Sequence, residues 1–182
     1  MNIEELMDRL EALGFYRHES LEAVEDAKKL AIDCRWPFAG ELKRGPHFAD
    51  AEELAEGFVC ELLSNVDEFL ELNGVKIEHA DDDFGETSYT VHVNDEKFMM
   101  YTKEELESGA ELWDLSTRRT VAMLNHLLAA AGSPERCYLL YSGNDAEVIF
   151  LTPEMHAAIA DCEELAERDR PAAAGASGVT IQ

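Results

Sequence analysis

Hydrophobic residues recur at helical spacing in two segments at the start of the chain. In the second segment the apolar run from Leu21 to Cys34 stops before Trp36-Pro37, because proline disfavours a helix in the residue before it. This spacing predicts a helical hairpin over residues 1–36, either separate or part of the main core. Residues 37–48, with two prolines and two glycines, are predicted to form a loop. The first segment has its apolar residues at Ile3, Leu6, Met7, Leu10 and Leu13.

The most regular pattern predicts one continuous amphipathic helix from Asp50 to Asn73. Apolar residues follow one side of this helix for about six turns, and acidic residues follow the other side. Asp50 with Glu53 three residues later matches a capping box at the start, and Gly74 follows the end. Small side chains interrupt the acidic side and leave room for another segment of the chain or for a partner: Gly57, Cys60 and Ser64.

Alternating apolar and polar residues predict three strands after this helix, at residues 75–79, 88–93 and 98–101. The last two strands should form a hairpin with Asn94-Asp95 as its turn and Val91 opposite Phe98. The acidic segment between the first two strands is predicted to be a polar loop.

The second half of the chain predicts two helices, a second hairpin and a last helix. These are a short helix capped by Thr102 and Glu105, a helix over residues 117–132, and a hairpin over residues 137–151 that turns at Gly143-Asn144. The last helix begins at Thr152-Pro153, an N-cap followed by proline at the first helical position, and runs to about Arg168.

The order of these elements predicts an α+β fold. Strands arrive in adjacent hairpins, which favours a mainly antiparallel sheet of about five strands (βββ-αα-ββ) packed against helices, with an N-terminal helical segment. We expect an N-terminal hairpin at 1–36 and an α+β domain at 49–168. Residues 171–182 are small and low in charge, so they are predicted to be a disordered tail.

Composition limits the classes of function. The 182 residues include 39 Asp and Glu against 15 Lys and Arg, a formal net charge of −24, and 46% are hydrophobic. We therefore expect a folded core whose surface repels the phosphates of nucleic acids and anionic membranes. No leader and no apolar stretch of membrane-spanning length is visible, and the four cysteines are widely separated. These features predict a reduced, cytoplasmic protein.

Acidic residues are concentrated in the middle of the chain. Residues 45–96 contain 15 Asp and Glu but a single basic residue, Lys76. Like charges at i,i+3 and i,i+4 on a helix repel by roughly 0.2–0.5 kcal/mol each, so this arrangement costs stability unless a basic partner offsets it. We expect the region to bind a basic protein, with an aromatic anchor among the carboxylates. The predicted partner-binding residues are Glu53, Glu56, Asp67, Glu71, Asp81, Asp82, Asp83, Phe84 and Glu86.

The sequence contains no GxSxG, Walker, GxGxxG or HExxH motif, and we predict no catalytic residue, cofactor or metal. The run of aspartates that begins at Asp81 fails the EF-hand template. That template needs glycine at position six and glutamate at position twelve, where this chain has Glu86 and His92. The acidic surround should raise the pKa of the Cys60 thiol and suppress its thiolate.

These observations favour a non-enzymatic binding module. Its concrete version is a cytosolic inhibitor or immunity-type protein that neutralises a basic protein such as a nuclease toxin. One alternative is an enzyme or small-molecule-binding protein with a cleft between the sheet and the helices at 117–131 and 154–168. Another is a DNA-mimic protein that presents carboxylates in place of phosphates, and a third is a domain whose acidity serves only solubility. We expect neither nucleic acid nor a membrane as a partner.

Overall fold

The structure is a computed structural model and describes residues 1–141 and 145–173. Helices and strands account for most of these residues. In chain order they are α1 (Ile3–Ala12), α2 (Leu21–Cys34), β1 (His47–Phe48), α3 (Ala51–Ala55), α4 (Val59–Leu72), β2 (Ala80–Phe84), β3 (Tyr89–Val93), β4 (Glu96–Tyr101), α5 (Lys103–Glu107), α6 (Leu112–Ala130), β5 (Arg136–Leu140), β6 (Glu147–Leu151) and α7 (Pro153–Ala160). A 3-10 turn follows at Glu167–Asp169. Within the two described ranges no helix is both long and apolar enough to cross a bilayer.

The strands form two antiparallel sheets of three strands each, in the orders β1-β6-β5 and β2-β3-β4. The predicted α+β class with antiparallel strands is therefore confirmed, although the six strands belong to two sheets rather than to one sheet of five. β1 has only two residues and lies at the end of the segment predicted to be a loop. The division into a hairpin at 1–36 and a domain at 49–168 stays a prediction.

The first predicted strand, residues 75–79, is wrong, because the strand forms further along the chain as β2. Residues Ala80 to Phe84 pair with β3, and Asp82 lies opposite Val91. The sequence indicates a loop here because aspartate has a low strand propensity. Since β2 is an edge strand with a single neighbour, it can expose charged side chains to solvent.

The single helix predicted from Asp50 to Asn73 is also wrong, because the chain breaks at Gly57. α3 ends before Gly57 and α4 begins after it, and Gly57 has a φ of +98°, which favours glycine. A Cβ atom at Gly57 would lie 3.0 Å from both Cβ and Cγ of Phe84. The space that this small residue leaves is therefore occupied by β2.

The predicted hairpin and helix caps, which depend on residues close together in sequence, are confirmed. The β3–β4 hairpin turns after Val93, and Val91 lies opposite Phe98. The capping box of Thr102 and Glu105 is present at the start of α5, and Thr152 caps α7.

Two helix ends and the tail differ from the predictions. α6 begins at Leu112 rather than at residue 117, and α7 ends at Ala160 rather than near Arg168. Beyond α7 the chain turns, and the Arg170 guanidinium donates hydrogen bonds to two carbonyl oxygens of this segment. Ala172, in the predicted tail, forms an antiparallel bridge with Leu139. The predicted turn at Gly143-Asn144 and residues 174–182 of the predicted tail lie outside the described residues.

The core consists of two hydrophobic clusters on opposite faces of the β5–β6 hairpin. Leu140 and Ile149 belong to the cluster that α1, α2 and α7 cover. Val148 and Phe150 belong to the cluster that includes α4, α6 and the sheet β2-β3-β4. This second cluster fixes α4 against β2 and β3 and so positions the acidic region.

Arg44 lies at the boundary of the two clusters and is fully buried together with Glu135. Its Nη1 lies 3.2 Å from Glu135 Oε2, and its Nε donates to the carbonyl oxygen of Phe15 at 2.6 Å. Arg17 supplies a second cation, 3.1 Å from Glu135 Oε1. Two arginines are therefore committed to a buried glutamate outside residues 45–96.

Candidate functional site

The start of α4 is held by two side chains of the neighbouring sheet. The backbone amide of Cys60 donates to Asp82 Oδ2 at 3.0 Å, and the amide of Val59 donates to the Tyr89 hydroxyl at 3.2 Å. The same hydroxyl donates to Oδ1 of Asp82. Both oxygens of Asp82 are therefore engaged within the fold, and its carboxylate serves as a cap for α4.

These contacts also define the chemistry of Cys60. Burial, reinforced by the nearby Asp82 carboxylate, raises the pKa of the Cys60 thiol to about 12. Burial also raises the pKa of the Tyr89 hydroxyl, and the hydrogen bond to Asp82 adds to that shift. Cys60 therefore stays a thiol near neutral pH and is a poor nucleophile, as the sequence predicts.

The side chains of β2 divide between two faces. Asp82 and Phe84 lie on the face that packs toward α4, whereas Asp81 and Asp83 lie on the opposite face. Asp83 Oδ2 lies 3.9 Å from His92 Nε2 across the strands. The predicted aspartate cluster is therefore not a single patch, and Asp81 and Asp83 point away from α4.

Phe84 is partly packed and partly exposed. Its ring meets the ring of Tyr89 edge-on at a centroid distance of 5.5 Å, and its Cβ and Cγ rest on Gly57. The side chain nevertheless remains 49% exposed. One side of the ring thus belongs to the fold and the other side is available for contact.

We use the name acidic surface for all exposed carboxylates of α3, α4, β2 and their flanking residues, which extend over both faces of β2. Most of the predicted partner-binding residues lie here, but Asp82 does not. The members of the acidic surface are Glu52, Glu53, Glu56, Glu61, Asp67, Glu68, Glu71, Asp81, Asp83 and Glu86.

Few carboxylates in residues 45–96 form ion pairs with the described part of the chain. Those that do are Glu68 with Lys43 at 2.9 Å, Asp83 with His92 and Glu96 with His126 at 2.6 Å. None of these pairs involves an arginine. Arg119, for example, pairs with Glu105 at 2.7 Å, outside the region. Among the described residues the acidic surface therefore keeps nearly all of its charge.

A small groove of about 70 Å³ opens beside the acidic surface, between β1, α3 and α4. Phe48 and Phe58 line it and are 55% and 47% exposed, and the buried Leu54 and Leu62 lie beneath them. Four polar side chains also line it: Asp50, Glu53, Glu61 and Asn65. We call this feature the Phe48–Phe58 groove.

A second groove, of about 330 Å³, lies on the other side of α4, against residues 77–80. Leu63 and Ile77 provide its apolar lining, while Asp67 and Glu78 provide carboxylates. Within the described residues no group of three or more His, Cys, Asp or Glu side chains is arranged to hold a metal ion. The groove therefore offers negative charge on both of its sides, which suits a cationic side chain.

A third groove, of about 210 Å³, lies between α3, α6 and β5. It is lined mainly by uncharged side chains, among them Trp113, Thr117 and Leu139, with Glu111 and Asp114 also present. Among the lining residues, only Thr117 belongs to the helices at 117–131 and 154–168, which together with the sheet should bound the cleft that the alternative interpretation expects. The lining shows no paired acid and base within hydrogen-bond distance in the described part of the chain.

Sequence reasoning misses Phe48 and Phe58 as surface residues. Periodicity places Phe58 on the apolar side of one long helix, whereas the break at Gly57 turns it outward. Gly57 inside a helical pattern is the available signal for that break. No local signal marks Phe48, because its exposure depends on how the short strand β1 pairs with β6.

No protein-family model matches this chain, and neither the curated proteins nor the solved structures include a significant match.

Proposed function

We propose that the protein is a non-enzymatic binding module that docks a basic protein through the acidic surface. The observation that carries this proposal is that most carboxylates of this surface lack basic partners within the described residues, while half-exposed phenylalanines lie among them. The concrete form is an inhibitor or immunity-type antagonist of a cationic protein such as a nuclease toxin. All four cysteines are free, which suits the cytoplasm as its compartment.

The two parts of the surface would contribute different terms to binding. Uncompensated carboxylates raise the association rate with a cationic protein and make binding sensitive to salt. Affinity depends more on aromatic anchors that are desolvated in the complex, a role available to Phe84, Phe48 and Phe58. The carboxylates that would contact Lys and Arg are those of the acidic surface, whereas Asp82 would position α4.

A capture experiment with matched charge reversals tests this proposal. The bait is the full chain immobilised in a native lysate at low and then moderate salt, with Asp67→Lys/Glu71→Lys as the test variant. Glu25→Lys/Asp26→Lys on α2 changes the net charge equally and serves as the control. We expect one basic protein to be recovered by the wild type and the control but not by the test variant. If no basic protein is enriched, or if both variants lose it equally, the proposal fails.

A second candidate function rests on the groove beside Trp113. Its largely uncharged lining and volume of about 210 Å³ suit a small apolar ligand rather than a protein. Native mass spectrometry of the purified protein would reveal such a ligand as a discrete mass increment. The DNA-mimic alternative uses the acidic surface itself, and it requires that nucleic acid compete with this protein for the captured partner.

A further inference from the structure

Phe58 stands at a position where a polar residue is usual. It is the N-cap of α4, a position that favours Ser, Thr, Asp or Asn because their side chains accept hydrogen bonds from helix amides. Phe58 makes no such hydrogen bond, and its ring is about half exposed. A large apolar side chain at the N-cap departs from this preference, so its presence has to be explained by something other than capping.

The structure shows why the fold tolerates this departure. The amide of Val59 is satisfied by the Tyr89 hydroxyl, and the amide of Cys60 is satisfied by Asp82. The second sheet therefore caps α4 from outside the helix, and position 58 is not needed for capping. Phe58 can therefore expose its ring at the surface while the first amides of α4 remain hydrogen-bonded.

Phe58 lines a small groove of about 70 Å³ that combines phenylalanine and leucine side chains with carboxylates. Phe48 and the buried Leu54 and Leu62 line the same groove, so an apolar group placed here would lose part of its contact with water. Glu53 and Glu61 line the same groove, and neither pairs with a basic side chain among the described residues. A bound segment would thus meet apolar side chains and negative charge next to each other.

We infer that the Phe48–Phe58 groove is the anchor pocket for the basic partner, an inference that rests on the proposed function. Its occupant is a segment with an apolar side chain next to Lys or Arg. The apolar side chain packs against the exposed rings of Phe48 and Phe58, and the basic side chains reach Glu53 and Glu61.

Charge favours a cationic segment of another protein over two other possible occupants of the groove. A second copy of the chain would bring a further net charge of −24 to an already negative edge. Residues 174–182 of the same chain carry no Lys or Arg that could pair with Glu53 or Glu61. A cationic segment of another protein meets both the apolar and the electrostatic requirement.

Selection from a random 12-residue peptide library displayed on phage tests the inference without a preselected partner. The immobilised wild-type protein is the target, and enriched peptides are synthesised for affinity measurement at about physiological salt. We expect enriched peptides to be net positive and to carry a Leu, Met, Phe or Trp beside Arg or Lys. Phe58→Ser and Phe48→Ser should weaken their binding roughly tenfold or more.

Leu21→Ser is the matched control, because Leu21 is 86% exposed on α2, outside the groove. Its peptide affinity should equal that of the wild type. Circular dichroism and thermal unfolding establish that the Ser variants fold. If only one of them folds, that variant decides the outcome.

The outcomes separate the inference from the proposed function. Cationic peptides that bind Phe58→Ser and Phe48→Ser like the wild type but lose affinity for Asp67→Lys/Glu71→Lys would overturn the inference and leave the proposed function standing. Enrichment of neutral or acidic peptides, or of no peptide, would overturn the inference. Basic peptides that bind all charge-reversed variants equally would count against both.

Discussion

At the start of α4, one residue occupies the N-cap position while two others accept the hydrogen bonds of the first amides. In most helices a single N-cap residue does both. Asp82 and Tyr89 satisfy the amides of Val59 and Cys60, whereas Phe58 occupies the cap position and contributes to the surface. The charge pattern predicts that Asp82 binds a partner, but its two oxygens already accept hydrogen bonds within the fold. Charge along the sequence does not distinguish a structural carboxylate from a recognition carboxylate, because the group that the carboxylate binds is distant in the chain.

The environment of Glu147 disfavours the ionised form of its carboxyl group. It lies opposite Phe48 and Leu140 in the first sheet, and its Oε2 is buried without a hydrogen-bond partner. Burial raises the pKa of this carboxyl. In the folded protein it therefore holds its proton more tightly than in the unfolded chain. As a consequence Glu147 lowers stability above its unfolded pKa of about 4.3 and ceases to do so below it.

We predict that Glu147→Gln raises the free energy of unfolding at pH 7 and that the gain disappears below about pH 4. Urea unfolding at a series of pH values measures this difference. Glu41→Gln, at an exposed position, should show no gain at either pH. A gain that persists at low pH, or none at neutral pH, would show that the buried carboxylate is not the cause.

At the scale of elements, the attachment of the sheet β2-β3-β4 to α4 decides the shape of the acidic surface. Tyr89 joins them, since its hydroxyl binds both the Val59 amide and Asp82 and its ring contacts Phe84. Without the hydroxyl, a buried amide and a carboxylate oxygen would each lose a partner.

Tyr89→Phe should therefore lower the free energy of unfolding by about 1–3 kcal/mol, measured by urea denaturation. Tyr141→Phe is the matched control. Its hydroxyl lies 3.4 Å from Asp169 Oδ1 in an exposed environment, so its loss should cost no more than about 0.5 kcal/mol. If the two variants lose the same free energy of unfolding, the contact between Tyr89 and α4 does not stabilise the attachment of the sheet β2-β3-β4 to α4.

The elements that the sequence predicts well depend on neighbouring residues. The capping box of Thr102 and Glu105 and the β3–β4 hairpin need only side chains a few positions apart. The break at Gly57 and the strand β2 could not be predicted in this way, because each depends on packing between segments far apart in sequence. The candidate site shares this limit: its carboxylates are visible as a charge pattern, but its aromatic groove is assembled by tertiary structure.

For the whole molecule, the net charge of −24 is a cost that few ion pairs offset in the acidic region. Asp67 and Glu71 illustrate the cost, since they lie one turn apart in the C-terminal half of α4. The last turn of this helix contains no basic residue. Repulsion between the two carboxylates and the negative end of the helix dipole act in the same direction.

We propose that this negative surface is kept for a cationic partner at the expense of stability. The most direct measurement is the free energy of unfolding of Asp67→Asn/Glu71→Gln by urea denaturation at low salt. We predict a gain of about 0.5–1 kcal/mol over the wild type, which shrinks at high salt. Glu25→Gln/Asp26→Asn on α2, where Lys28 and Lys29 follow closely, should give no gain. If the α4 variant is no more stable than the wild type, its carboxylates carry no cost and the claim is contradicted.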